Sequence, residues 1–172
     1  MRAAVVLALA LAGCLPETSA TDPGPLARTG NVWADCYRRF QPSDDPAADL
    51  DRLGAACAAP GGLRPLGEPQ AGAAQAAGDP PERFSFRVRR GCYRAFAVGG
   101  AGVTDLDLVF YDPHGRLAAG DVSRDRWPVV PPRGPLCVEE EGVYTVSVAV
   151  ARGRGEYVLQ IWGAGQKAGL PE

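Results

Sequence analysis

A single histidine, His114, serves the whole 172-residue chain. Nucleophilic catalysis needs a base held beside the nucleophile. This His is bracketed by Pro113 and Gly115, so the expected role is an exposed turn residue. G-x-S-x-G and H-E-x-x-H are missing. C-x-x-C is missing too, which leaves zinc without its usual ligand spacing. No apolar run approaches the roughly 20 residues that a membrane-crossing helix requires. Basic residues number 18 against 20 acidic, a net charge of −2, so the basic surface that nucleic acid demands is lacking. Acidic residues are plentiful enough for a glycosidase pair, but a small β domain leaves little room for its cleft. The expectation is a protein that is not an enzyme, with no nucleic-acid partner and no obligate cofactor.

What is present begins at the N-terminus. Arg2 precedes residues 3–12, all Ala, Val or Leu, and small Ala12 and Gly13 come next. This short apolar segment has the form of a secretory signal peptide. Leu11-Ala12-Gly13-Cys14 resembles the lipobox of bacterial lipoproteins. The resemblance implies diacylglycerol on the Cys14 sulfur, cleavage of residues 1–13 and acylation of the new amine, with chains such as palmitate. One acyl chain binds a membrane only reversibly, whereas two or three hold firmly. Leu15, where inner-membrane lipoproteins often carry Asp, implies the outer membrane, facing the periplasm or the cell surface. The membrane is thus the first expected partner. The alternative is an ordinary signal peptide cut near Ala20, with Cys14 incidental.

Cys36, Cys57, Cys92 and Cys137 remain, an even number in an exported chain, which reads as disulfides. Three pairings are open. Cys36–Cys57 and Cys92–Cys137 are favoured, because each then lies within one organised segment. The chain-entropy account assigns them about 3 and about 4 kcal/mol.

Residues 14–30 comprise the lipidated Cys and a Pro- and Gly-bearing tether, with a mean reach of about 20–24 Å. Residues 31–58 read as a helical hairpin. Val32, Trp33, Cys36, Tyr37 and Phe40 recur at helical spacing after Asn31 as N-cap. Asp45 and Pro46 start a second helix whose Leu50, Leu53 and Cys57 share a face. Residues 59–81, rich in Ala, Gly and Pro, read as a linker or as an irregular segment lying on a neighbour.

From Arg83 the period becomes two. Phe84, Phe86 and Val88 alternate with polar residues, as do Leu106, Leu108 and Phe110 and then Tyr144, Val146, Val148 and Val150. Tyr157, Leu159 and Ile161 follow, and residues 92–98, 116–121 and 136–138 add shorter strands. Turn signals separate them: "YDPHG" in type I order and "ARGRGE" as a hairpin between the last two strands. The expected fold is mainly β, a seven- to eight-stranded antiparallel β-sandwich of jelly-roll-like form. It would occupy residues 82–164, with the small disulfide-stapled two-helix unit before it and a tail at 165–172.

"CYRAFAVGGAGVTDLDLVFYDPHGRLAAGD" and "EGVYTVSVAVARGRGEYVLQIWG" together resemble the bacterial pre-peptidase C-terminal (PPC-like) domain, over about residues 83–164. That resemblance implies a small non-catalytic β-sandwich; some such domains bind calcium, others polymers. No protease precedes it here, and Cys92 and Cys137 are additions to the pattern. "DCYRRFQPSDDPAADLDRL", "GLRP" and the Trp127-Pro128…Cys137 spacing are similar to small lipoproteins of myxobacterial type, which adds architecture and no activity. "CYR" occurs at Cys36 and at Cys92, but one copy has helical and the other strand periodicity, so no duplication is read.

Three groups remain as candidate sites. Asp105, Asp107, Asp121 and Asp125 fall near strand ends and turns, where oxygen donors suit calcium; solvated carboxylates are the simpler reading. Arg83, Arg87 and Arg89 share the polar face of one strand, with Arg94 on the next, and suit an anionic polymer; pairing with cross-strand carboxylates is the plainer role. Trp127, in "RDRWPVVPP", is either a sugar-stacking platform or a plug over the end of the sandwich. Trp33 and Trp162 read as core. The function expected from all this is an envelope lipoprotein displaying a β-sandwich for adhesion, polysaccharide binding or envelope assembly. The partner is a cell-surface or cell-wall polysaccharide; alternatively the chain is a structural subunit contacting an envelope protein.

Overall fold

The computed structural model describes residues 32–121 and 123–164. Residues 1–13, Cys14, the tether, Asn31 and the tail lie outside the described residues.

Two helices come first, α1 (Val32–Arg38) and α2 (Pro46–Cys57). Asp45 caps α2, its Oδ1 accepting from the Ala47 and Ala48 amides at 3.1 and 3.0 Å. Leu50, Leu53 and Cys57 form the buried stripe of α2, and the Cys36–Cys57 disulfide joins it to α1 across a Cα–Cα distance of 5.3 Å.

A short 3-10 turn at Ala59–Gly61 follows, and every strand pairing after it is antiparallel. Nine strands occur among the described residues: β1 (Arg64–Pro65), β2 (Gln70–Ala76), β3 (Glu82–Val88), β4 (Gly91–Gly99), β5 (Val103–Tyr111), β6 (Leu117–Gly120), β7 (Val129–Val130), β8 (Leu136–Val138) and β9 (Gly142–Ala164). Two of them correct the reading of residues 59–81 as a linker. β1 and β2 add to the edge of β9, with Gln70 opposite Leu159 and Arg64 opposite Gly163. Short Ala- and Gly-rich strands of this kind are held by backbone ladders and leave no hydrophobic alternation to read.

β9 organises everything else. Its first half pairs with β3 on one side and β5 on the other, and β6 extends from β5. Its second half pairs with β1 and β2 on one side and β4 on the other, and β7 and β8 extend from β4. "ARGRGE" therefore does not reverse the chain into a hairpin; it bends one continuous strand. Gly153 has φ 92° and Gly155 φ 155°, and a Cβ on Gly153 would stand 2.3 Å from the Gly102 carbonyl oxygen. The register against β5 slips twice at this bend. Turn-favouring glycines here make a kink with close backbone approach.

Both halves contribute side chains to the main core. Ala95 and Ala97 of β4, Leu106, Leu108 and Phe110 of β5, and Val146, Val148, Leu159 and Ile161 of β9 meet there. The β4 half is covered on its other face as well. Phe96 and Val98 pack with Leu50, Leu53, Cys57 and Trp162 beneath the helices, which is why β4 is buried at nearly every residue. Gly54 makes this contact fit: a Cβ there would lie 2.3 Å from Trp162 Cζ2. Cys92 and Cys137 are register partners between β4 and β8 and form the second disulfide, with a Cα–Cα distance of 3.9 Å.

Among the described residues no helix is long and apolar enough to cross a membrane. Among the described residues the helices pack against β4 and Trp162 of β9, and the site below lies on the β3–β9–β5 half.

Candidate functional site

The arginines divide between two environments. Arg94 does not join Arg83, Arg87 and Arg89 on a polar surface, because β4 is covered on both sides. Its side chain is fully buried. Nε donates to the Pro131 carbonyl at 3.0 Å, Nη1 to Cys57 at 2.7 Å, and Nη2 to Trp33 at 2.8 Å and Pro132 at 3.2 Å. The Trp33 and Phe96 rings lie 5.2 and 5.5 Å from its central carbon. Burial pulls its pKa down to about 10, still far above neutral, so the charge persists. Carbonyl oxygens and ring faces replace the lost water. Arg94 thus fastens α1, α2 and the segment after β7 to the sheet.

Arg83 and Arg87 are exposed on β3, while Phe84 and Phe86 on its inner side pack toward the core. The cross-strand neighbours of the two arginines are Ser147 and Val143, not the carboxylates that would neutralise them, and neither forms an ion pair with a described residue. Arg89 follows the strand. Its backbone is fixed by Tyr93, whose hydroxyl donates to the Arg89 carbonyl at 2.7 Å and accepts from its amide at 3.1 Å.

Beside Arg83 lies a cleft of about 500 Å³. Ser85, Thr145 and Tyr111 form one row across β3, β9 and β5, by register. Val143, exposed to 46%, adds an apolar patch to the floor. The far wall is the 112–115 turn. There the Gly115 amide donates to the Asp112 carbonyl at 2.9 Å, and Asp112 Oδ1 accepts from the His114 and Arg116 amides at 2.9 and 2.8 Å. The turn leans on Gly142, where a Cβ would come within 2.7 Å of Pro113 Cγ. The slight burial of Asp112 works against its charge, but hydrogen bonds from Arg116 and His114 outweigh it and hold the carboxyl below its ordinary range. That carboxylate is already engaged by Arg116 Nε at 2.6 Å, so the cleft keeps an excess of positive charge. His114 stands on the exposed outside of the turn, 3.1 Å from Glu140. The sequence nominated the arginines but not Thr145, Tyr111 or Val143. Their shared row depends on strand register, which only the pairing reveals.

The other candidates are placed as follows. Trp127 is partly buried, its ring 6.1 Å from that of Phe40 and tilted by 60°, in the cluster beneath the helices. Asp105 is buried rather than outward, because the slipped register beside it tucks both Asp105 and Leu106 inward; its Oδ2 lies 4.0 Å from Arg152 and its Oδ1 has no hydrogen-bond partner among the described residues. Asp107 projects outward, but its carboxyl is partly desolvated, and that together with the neighbouring Asp105 charge raises its pKa. Asp121 accepts from the Ser123 amide and hydroxyl at 3.1 and 3.0 Å. The Asp125 carbonyl accepts from the Leu106 amide at 3.1 Å. Among the described residues no three His, Cys, Asp or Glu side chains gather as a metal-binding group. Cys14 lies outside the described residues.

No protein-family model matches the chain, and none of the curated proteins compared with it matches.

Proposed function

We propose that this chain is a non-enzymatic lipoprotein of the cell envelope, anchored through Cys14, that binds an anionic polysaccharide in the cleft on the outer face of β3, β9 and β5. On this reading the two halves joined by β9 are the leaves of a PPC-like sandwich, and the helical unit caps one leaf so that the other faces outward.

The observation that carries the proposal is the charge of β3. Arg83 and Arg87 are exposed with a hydroxyl and a valine across from them in place of carboxylates. Arg83 lines the cleft together with the hydroxyls of Ser85 and Thr145 and the ring of Tyr111, and Arg87 follows it on the same face of β3. Guanidinium, hydroxyl and aromatic groups together suit an acidic sugar: two charge-assisted bonds, several neutral ones and one stacking face. Asp112, the carboxylate in this lining, is taken up by the His114 and Arg116 amides and by Arg116 Nε, which favours binding over turnover.

Calorimetric titration with polygalacturonate, and with dextran as the uncharged control, tests the reading. Binding to the acidic polymer and its loss in Tyr111→Ala or Thr145→Ala are the expected results. Retention of dextran binding, or equal affinity in those variants, contradicts it. Trp127→Ala separates the cleft from the Trp127 face: it leaves affinity unchanged if the ligand sits against Tyr111.

A further inference from the structure

β2 and β3 both pair with β9, but not with each other. One carboxylate closes the gap at one end: Glu82 Oε2 accepts from the Ala73 amide at 3.0 Å and from the Tyr157 hydroxyl at 2.7 Å. Burial and the Glu82 contact raise the Tyr157 pKa, so that hydroxyl keeps its proton and goes on donating. Beyond this bridge the two edges part. They leave a groove of about 410 Å³, lined among others by Leu66, Gln70, Phe84, Phe86, Leu159 and Ile161.

Antiparallel strands alternate their amides and carbonyls between two sides. β3 spends one set on β9, and the other set faces the groove, where no described strand pairs with it. A seven-residue edge left unpaired among the described residues is a template for another strand.

We propose that this groove is a strand-addition site, and that its occupant is an extended peptide with acidic residues at alternate positions and apolar residues between them. Period two dictates that pattern. The apolar side chains of an added strand enter against Phe84, Phe86 and Leu66, which are only partly buried. The intervening side chains project on the outer side, next to Arg83 and Arg87, where an acidic residue completes a cross-strand pair that β9 does not supply. A second copy of the chain is the wrong occupant by charge. Antiparallel pairing of two β3 edges sets Arg83 and Arg87 against the same two arginines. The inference shares Arg83 and Arg87 with the polysaccharide reading, but it adds the edge and inner side of β3, which that reading does not use.

Amide hydrogen exchange of the full chain tests it, with three synthetic heptapeptides: alternating Glu and Val, the same peptide N-methylated on alternate amides, and alternating Lys and Val. The Glu–Val peptide is expected to slow exchange at alternate β3 amides by about tenfold or more, and the other two to leave it unchanged. Leu66→Glu, which puts a carboxylate into the groove, should abolish that protection and leave polygalacturonate binding intact; Tyr111→Ala should do the reverse. The peptide comparison uses the unaltered protein, so it stands even where Leu66→Glu fails to fold. Absence of protection by the Glu–Val peptide, or equal protection by the Lys–Val peptide, overturns the proposal. So does β3 protection that rises with protein concentration alone, since the occupant is then a second copy.

Discussion

The Arg94 guanidinium on β4 donates to the carbonyl of Cys57, the last residue of α2, at 2.7 Å. The same residue's sulfur is bonded to Cys36. One position thus ties the helical unit together covalently and to the sheet by a charge-assisted bond.

Replacement of Arg94 should therefore act as more than loss of one contact. Arg94→Lys keeps the charge, but a single ammonium cannot reach α1, α2 and the Pro131–Pro132 segment together. Stranded buried carbonyls cost about 1–3 kcal/mol each. Denaturant unfolding is expected to show a loss of at least about 3 kcal/mol in Arg94→Lys, and no less in Arg94→Ala. A lysine variant within about 0.5 kcal/mol of the parent would show that the bond network is dispensable.

Gly54→Ala should run against helix propensity. In an open helix interior the change stabilises by about 1 kcal/mol. Here the new methyl meets Trp162 at 2.3 Å, and overpacking costs about 1–3 kcal/mol. The expected sign is destabilising, read as a lower melting temperature. Gly54→Ala combined with Trp162→Leu, compared with Trp162→Leu alone, should recover the helical gain. A stabilised single variant would mean that α2 does not rest on Trp162.

Acid sensitivity should trace to Asp49. Its buried carboxylate accepts from the Ser43 amide at 2.6 Å, from the Ser43 hydroxyl at 2.8 Å and from Arg52. Burial alone would raise its pKa; the Arg52 and Ser43 bonds outweigh that and lower it. A folded pKa below the unfolded value of about 3.9 adds stability above that pH, which is lost as pH falls through the folded value. Melting temperatures taken through a pH series should drop below about pH 4 in the parent, and drop less steeply in Asp49→Asn. Parallel curves for the two would remove Asp49 as the cause.

Much of this architecture is legible where local chemistry decides it. The Asp45 cap, the Asp112 turn, the alternation of β3 and β5 and both disulfide pairs follow from residues close in sequence or from segment logic. What escapes has a common physical origin. β1 and β2 are held by backbone bonds to β9 across some 90 residues of chain, from Gln70 to Leu159, and a ladder needs no particular side chain. Gly153 and Gly155 permit either a reversal or a bend, and pairing with β5 decides for the bend. Arg94 reads as surface because it is a charged residue on the strand that follows Arg83, Arg87 and Arg89; only the helices laid over β4 bury it. Asp105 turns inward for the same kind of reason, a register slip that no local pattern announces. The cleft is half visible: Arg83 stands out in sequence, whereas the row of Ser85, Thr145 and Tyr111 exists only once the strands are aligned.

The account rests most on uncompensated positive charge along β3. Affinity for polygalacturonate measured against salt concentration tests that most directly, because each guanidinium that engages the polymer displaces counterions from it. The account predicts a steep fall of affinity with salt in the parent, a shallower one in Arg83→Ala or Arg87→Ala, and a nearly flat one in the double variant. A double variant with the parent's affinity and the parent's slope would contradict it.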